Sequence, residues 1–490
     1  MAAPRKSMEP YLKDEVVYYP HQVEGIRQLM HWNSSLLADD MGLGKSLQAL
    51  TVFIGDVFTG QGDTCIVVCP VSLRGNWADE IEKFTRIPYK ILGQEYSPRT
   101  GRPRTLTSIE RTAQIVEFAL WKKPKILIVN YEQVETHLAE LNVLNARMLI
   151  FDEAHTIKNP EAKRTKACLA LKGDRSICLT GTPVLNNVSE LWPMLNRIAP
   201  KFFPNYYAYR NRYCVMGGFK NRTVTGHKNG KQLHGILNQV MLRRLKKDVL
   251  DLPEVQYIQV LVDLHPAQLA LYEQAEEEFE IANVDPSEKN FDTEDPMLRL
   301  MRILQICATP ATLGYPDDSY KLDAVVDRAS ELVMRDEKVV IFTRFRPVIQ
   351  CLVDRFTKVG IPNMQLHGDV PPNERQDIVK KMGSLPQAGV LICMTQVAGV
   401  GLNMTWSRNA FRVDRLFVPG LNQQAVDRLH RIGADLTQPI QVTDFITRGT
   451  AEQRVEAINK AKSKEFDRVI EDAQVTRAIL KALRTKEYVT

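Results

Sequence analysis

At 490 residues the chain is longer than one hydrophobic core supports, since cores stop growing near roughly 250–300 residues, and two large domains are expected. With 44% hydrophobic and 25% charged residues its composition is neither disordered nor fibrous, and no apolar run approaches the roughly 20 residues that cross a bilayer. The net charge of +6 excludes little, and the polar segment Met1–Pro10 lacks the apolar stretch of a secretory signal, so an intracellular protein without membrane contact is expected.

In chain order, the first short apolar run, Ser35–Ala38, leads into Asp39-Asp40-Met41-Gly42-Leu43-Gly44-Lys45-Ser46 and then into the helical pattern Leu47-Gln48-Ala49-Leu50. Strand, glycine loop and helix start together make a phosphate cradle. Gly42 and Gly44 let backbone N–H groups approach phosphate oxygens, and the helix N-terminus adds positive potential. In that setting Lys45 reaches the β- and γ-phosphates of ATP and Ser46 holds Mg²⁺. Asp39 stands where the usual pattern has its first glycine.

The runs Cys65–Cys69, Ile126–Val129, Met148–Phe151 and Ile177–Thr180 complete a first set of predicted strands, with a Pro/Gly/Arg-rich surface loop expected at 97–111. Continuous apolar runs of this length fit strands buried on both faces, and their alternation with helices gives a parallel α/β sheet. Met148–Phe151 ends directly in Asp152-Glu153-Ala154-His155. A carboxylate at such a strand end sits beside the phosphate loop, so Asp152 is expected to hold Mg²⁺ through water and Glu153 to orient and deprotonate the attacking water. An acidic helix cap would explain these residues alone; the Gly-Lys-Ser loop upstream favours catalysis.

Leu191 to Lys247 contains no Asp or Glu but twelve Lys and Arg, interleaved with Tyr206, Tyr207, Tyr209 and Tyr213, which fits a phosphate-backbone contact surface at least as well as a solvated face. Arg222 and Lys228 are its candidate contacts. Residues 271–296 reverse the sign, with ten acidic residues against Lys289, and read as a solvated face. A second strand set follows at Lys338–Phe342, Met364–Leu366, Val390–Met394, Arg415–Val418 and Ile440–Val442, and from Thr450 charged and apolar residues alternate at helical spacing. The eight cysteines form no CxxC pair and lie mostly in apolar runs, so reduced core thiols are expected.

With these elements in place the chain resembles the Swi/Snf family of superfamily-two DNA translocases. Tyr19–Gly25 resembles the adenine-reading motif, which implies that Gln22 contacts the base. Cys69–Trp77 and Asn130-Tyr131-Glu132 resemble strand-contact motifs. Leu179–Pro183 with Asn186 and Asn187 resembles the motif coupling hydrolysis to DNA, and Met241–Val249 followed by Leu252-Pro253 is typical of the family. Val339–Thr343, His367-Gly368, Thr395–Asn403 and Gln424–Gly433 complete the set in a second lobe. The chain departs from the pattern at Ala434, at Asp40 and at Pro419–Asn422, none of which removes a catalytic group.

The resemblance implies two tandem RecA-like α/β lobes of parallel sheet with helical insertions between them: residues 1–200, an insertion and linker at 201–320, 321–450, and a helical extension at 451–490. It implies ATP and Mg²⁺ as cofactors, Gly401 beside the nucleotide, and Arg428 and Arg431 as arginines from the second lobe that stabilise the transferring phosphoryl. Arg74, Asn76, Thr343, Arg344 and Thr395 become candidate DNA contacts, and His155, Thr180, Thr182 and Gln424 candidate coupling residues. The expected protein works as a monomer on duplex or branched DNA without sequence preference, in a bacterial or phage-infected cytoplasm or, in a eukaryote, the nucleus. A strand-separating DEAH-type helicase acting on DNA or RNA and an ATP-switched DNA clamp are the rival readings.

Overall fold

The computed structural model describes residues 10–96, 103–181, 188–217, 223–250, 252, 254–284, 296–398, 402–416, 419–431, 433, 435 and 437–455. The chain divides into two compact units that meet in sequence between Asp251 and Leu252.

The first unit carries the strands β1 (Ser35–Leu37), β2 (Thr64–Cys69), β3 (Tyr89–Ile91), β4 (Gln94–Tyr96), β5 (Pro103–Thr105), β6 (Lys125–Asn130), β7 (Met148–Asp152), β8 (Arg175–Leu179), β9 (Cys214–Gly217), β10 (Thr223–His227) and β11 (Met241–Leu242). Seven of them form a parallel sheet in the order β11-β1-β8-β7-β2-β6-β3. Every residue of β2 and β6 is buried, as a parallel sheet covered by helices on both faces requires.

The second unit contains β12 (Val255–Val262), β13 (Val339–Thr343), β14 (Asn363–Leu366), β15 (Val390–Met394), β16 (Asn409–Arg412) and β17 (Ile440–Thr447), again all parallel, in the order β12-β17-β16-β13-β15-β14. Successive residues point to opposite faces. Val339, Ile341, Val390, Ile392 and Phe411 pack into one core, and Val340, Phe342, Leu391, Cys393 and Ala410 into another. Both units are therefore helix–sheet–helix sandwiches, and all eight cysteines are free, seven of them buried.

Three expectations change. The stretch 201–320 is not wholly insertion: β11 extends the first sheet beside β1, and β12 is the eight-residue edge of the second. β11 is too short to register as a run, and β12 exposes Tyr257 and Leu261 at its open edge, which breaks the apolar continuity. Of the predicted strand Arg415–Val418, Arg415 and Leu416 are not in a strand and 417–418 lie outside the described residues; the strand found here is Asn409–Arg412, whose buried polar ends disguise it: Arg412 pairs with Asp444 of β17, Nη2 to Oδ2 at 2.8 Å. In the predicted loop 97–111, Pro103–Thr105 is the strand β5, paired antiparallel with β4, and a helix begins at Ser108, started by a Thr107/Glu110 capping box. The predicted C-terminal helix is present over 451–455, and 456–490 lie outside the described residues.

Candidate nucleotide site

Three neighbouring strand ends assemble the site in the first unit. β1 runs into the phosphate loop, β8 into Thr180, and β7 into Asp152 and Glu153. In a parallel sheet the C-terminal edge is where ligand-binding loops collect.

Gly42 and Gly44 hold φ of 84° and 73°, left-handed values that glycine adopts without steric cost, and Gly44 caps the helix Lys45–Phe58. A Cβ on Gly44 would lie 2.3 Å from Gln22 Nε2, so the loop closes directly onto the helix Pro20–His31. Gln22 is buried, its Oε1 accepting from Tyr19 N at 3.0 Å and its Nε2 donating to Leu43 O at 3.3 Å. The Lys45 ammonium donates to the carbonyls of Asp39 at 2.8 Å and Asp40 at 3.2 Å. Ser46 follows it, half-buried, in the first turn.

Asp39, which interrupts the glycine pattern, is fully buried and answers a charge far away in sequence. Arg244, just beyond β11, donates from Nε to Asp39 Oδ1 at 3.1 Å and from Nη2 to Asp39 Oδ2, while also bonding Gln48 Oε1 at 2.8 Å and the His21 carbonyl. The clasp continues with Lys246 N donating to Asp40 Oδ2 at 3.0 Å. Gly25 leaves room for it: a Cβ there would meet Gln48 Oε1 at 2.0 Å. The Arg243–Asp248 block read as a family hallmark thus holds the phosphate loop from behind.

At the end of β7, Asp152 Oδ2 accepts from Trp77 Nε1 at 2.8 Å, Asp152 Oδ1 accepts from Glu153 N at 2.9 Å, and the Tyr131 hydroxyl donates to the Asp152 carbonyl at 2.7 Å. Burial, reinforced by the neighbouring Glu153 charge, raises the Asp152 carboxyl to about 7 against the pull of the Trp77 bond and the Lys45 ammonium. Glu153 sits at φ 48°, unusual for a side-chain-bearing residue, which turns it off the strand axis. His155 Nδ1 lies 3.3 Å from Glu153 Oε2 and 3.2 Å from Thr180 Oγ1, so these three residues are brought together. Trp77 and Tyr131 lie in the motifs that resemble strand contacts, but their bonds to Asp152 were not expected. The available signal was that a buried Trp or Tyr needs a partner for its polar atom.

The remaining candidates are placed as follows. Arg74 is anchored by Nη1 to the Leu92 carbonyl at 3.2 Å, and Asn76 is half-buried on the same helix. Thr343 is fully buried and its hydroxyl donates to Asp414, so it organises the end of β13 instead of presenting itself to a ligand. Arg344 donates to the Arg415 carbonyl at 3.2 Å, and Thr395 is buried at the end of β15. Gln424 and Arg428 are buried; Arg431 Nη1 lies 3.5 Å from the Leu402 carbonyl. Thr182, Arg222 and Gly401 fall outside the described residues, and Lys228 is exposed.

The chain is 26% identical to human TATA-binding protein-associated factor 172 over 92% of its own length and 28% of that protein's. It is also 26% identical to an uncharacterized ATP-dependent helicase of Mycoplasma pneumoniae, over 89% of its length and 40% of that protein's. It therefore spans less than half of either relative. The SWI2/SNF2 ATPase core of Sulfolobus solfataricus, solved in complex with dsDNA, is 25% identical with a TM-score of 0.42, covering 98% of each chain. The SNF2-related domain family matches residues 21–312 and the helicase conserved C-terminal domain residues 321–433, and the chain belongs to the SNF2-related family.

Proposed function

We propose that the chain is a DNA-dependent ATPase that uses hydrolysis to travel along duplex or branched DNA. The observation that carries this reading is the convergence, at three adjacent strand ends, of a lysine-bearing phosphate loop, a paired Asp152-Glu153 and the His155–Thr180 contact. Lys45 neutralises the β- and γ-phosphates, and Glu153, unlike Asp152, can take a proton from water without first leaving a hydrogen bond to Trp77.

The donor set suits Mg²⁺. Ser46 and Asp152 are hard oxygen ligands, and a cation beside Asp152 would relieve the cost of ionising its buried carboxyl. When bound, the ion supplies charge neutralisation of the phosphate oxygens. The resemblance gives Arg428 and Arg431 the role of stabilising charge on the transferring phosphoryl. Trp77 and Tyr131 belong to the segments expected to touch the DNA strand; Trp77 donates to the Asp152 carboxylate and Tyr131 to its backbone carbonyl, so a track contact at Trp77 would reach the carboxylate through a single hydrogen bond.

Displacement of a third strand from a DNA triplex tests travel directly. The proposal expects displacement with ATP and none with a non-hydrolysable analogue. ATP turnover without displacement would establish a switched clamp, and separation of duplex strands a helicase. Fork regression and strand annealing are tasks such a motor serves on branched DNA.

A further inference from the structure

We propose that the helix Tyr206–Tyr213, together with the β9–β10 hairpin and the helix Gly230–Leu237 that follow, forms an auxiliary surface for the DNA backbone, outside the motifs of the nucleotide-site edge. This inference rests on the reading that DNA is the track.

The helix is built to display, not only to pack. Tyr209 and Tyr213 are buried against Phe203, ring centroids 5.6 and 6.4 Å away, and anchor one face. The opposite face carries Tyr207, 56% exposed, with the Arg210 guanidinium stacked over it at 5.2 Å. Arg212 Nε donates to Gln232 Oε1 at 3.0 Å, Asn229 Nδ2 donates to the Arg212 carbonyl at 2.8 Å, and Lys228 N donates to the Tyr213 carbonyl at 2.9 Å. These bonds draw Arg212, Lys228 and the exposed Lys231 to one corner.

Elsewhere in the unit several exposed cations have a carboxylate partner: Arg86 with Asp14, Arg164 with Glu132, Lys166 with Glu161. Among the described residues Arg210, Arg212, Lys228 and Lys231 form no ion pair, and the stretch 191–247 itself contains no carboxylate. Unneutralised cations beside a flat aromatic–guanidinium stack suit a phosphate backbone with its sugars and bases. An acidic protein segment would match the charge but would leave the exposed Tyr207 ring without a flat partner.

The test measures affinity of the full chain for a labelled duplex across a salt series. Combining Arg212→Ala, Lys228→Ala and Lys231→Ala should flatten the slope of log K against log salt by about 2–3, at roughly 0.9 per lost phosphate contact. The charge-preserving pair Lys228→Arg and Lys231→Arg should keep the wild-type slope. A triple-alanine variant with the wild-type slope overturns the surface, as does an equal loss in the charge-preserving variant. Wild-type protein with no affinity for duplex overturns the proposed function itself.

Discussion

Trp77 contributes one hydrogen bond whose effect on the site can be stated with its sign. By donating to Asp152 Oδ2 it stabilises the ionised carboxylate and holds down a carboxyl that burial has pushed up to about 7. Trp77→Phe keeps the ring and removes the donor. Proton affinity at Asp152 then rises, and the acid limb of the pH profile for ATP turnover should move to higher pH by about 1–2 units, since a bond to a charged group is worth about 1.5–3 kcal/mol and one unit is 1.36 kcal/mol. An unmoved limb would remove Trp77 from the mechanism. The stability linkage runs with the same raised pKa. Folded protein binds this proton between the ordinary carboxylate range and about 7, so the favourable contribution is present at low pH and lost as pH rises through 7. At this scale Lys45, Asp152 and Glu153 were legible in the sequence because their chemistry demands fixed neighbours along the chain. The Asp39–Arg244 pair was not, because nothing local to Asp39 points to a partner beyond β11.

The phosphate loop is held by an element as well as by its own glycines. β11 pairs with β1 for two residues only, Leu36 with Met241 and Leu37 with Leu242, and the chain leaving it places Arg244 on Asp39 and the Lys246 N–H on Asp40. The backbones of those two aspartates are the ones that hold the Lys45 ammonium. Arg244→Ala leaves Asp39 buried without its cation, and breaking such a pair costs about 3–5 kcal/mol. Denaturant unfolding should register that loss, and nucleotide affinity should fall with it; full ATP affinity in a folded variant would show that the clasp does not position the loop. The apolar runs made most strands readable. β16 escaped because Asn409 and Arg412 are polar yet buried, satisfied by Glu337 and Asp444 across the sheet, a compensation that periodicity cannot register.

For the whole molecule, the sequence reading of two parallel α/β lobes is realised as two units with separate cores, and the boundary falls between Asp251 and Leu252 because β11 and β12 belong to different sheets. The central claim is that Glu153 drives ATP hydrolysis that DNA stimulates. Turnover measured in parallel with no nucleic acid, single-stranded DNA, duplex DNA, forked DNA and RNA, for wild type and Glu153→Gln, tests it most directly. The account expects the largest stimulation by duplex or forked DNA in the wild type, and loss of turnover in Glu153→Gln with ATP and DNA still bound. Near-normal turnover in that variant, or stimulation by RNA alone, would contradict it.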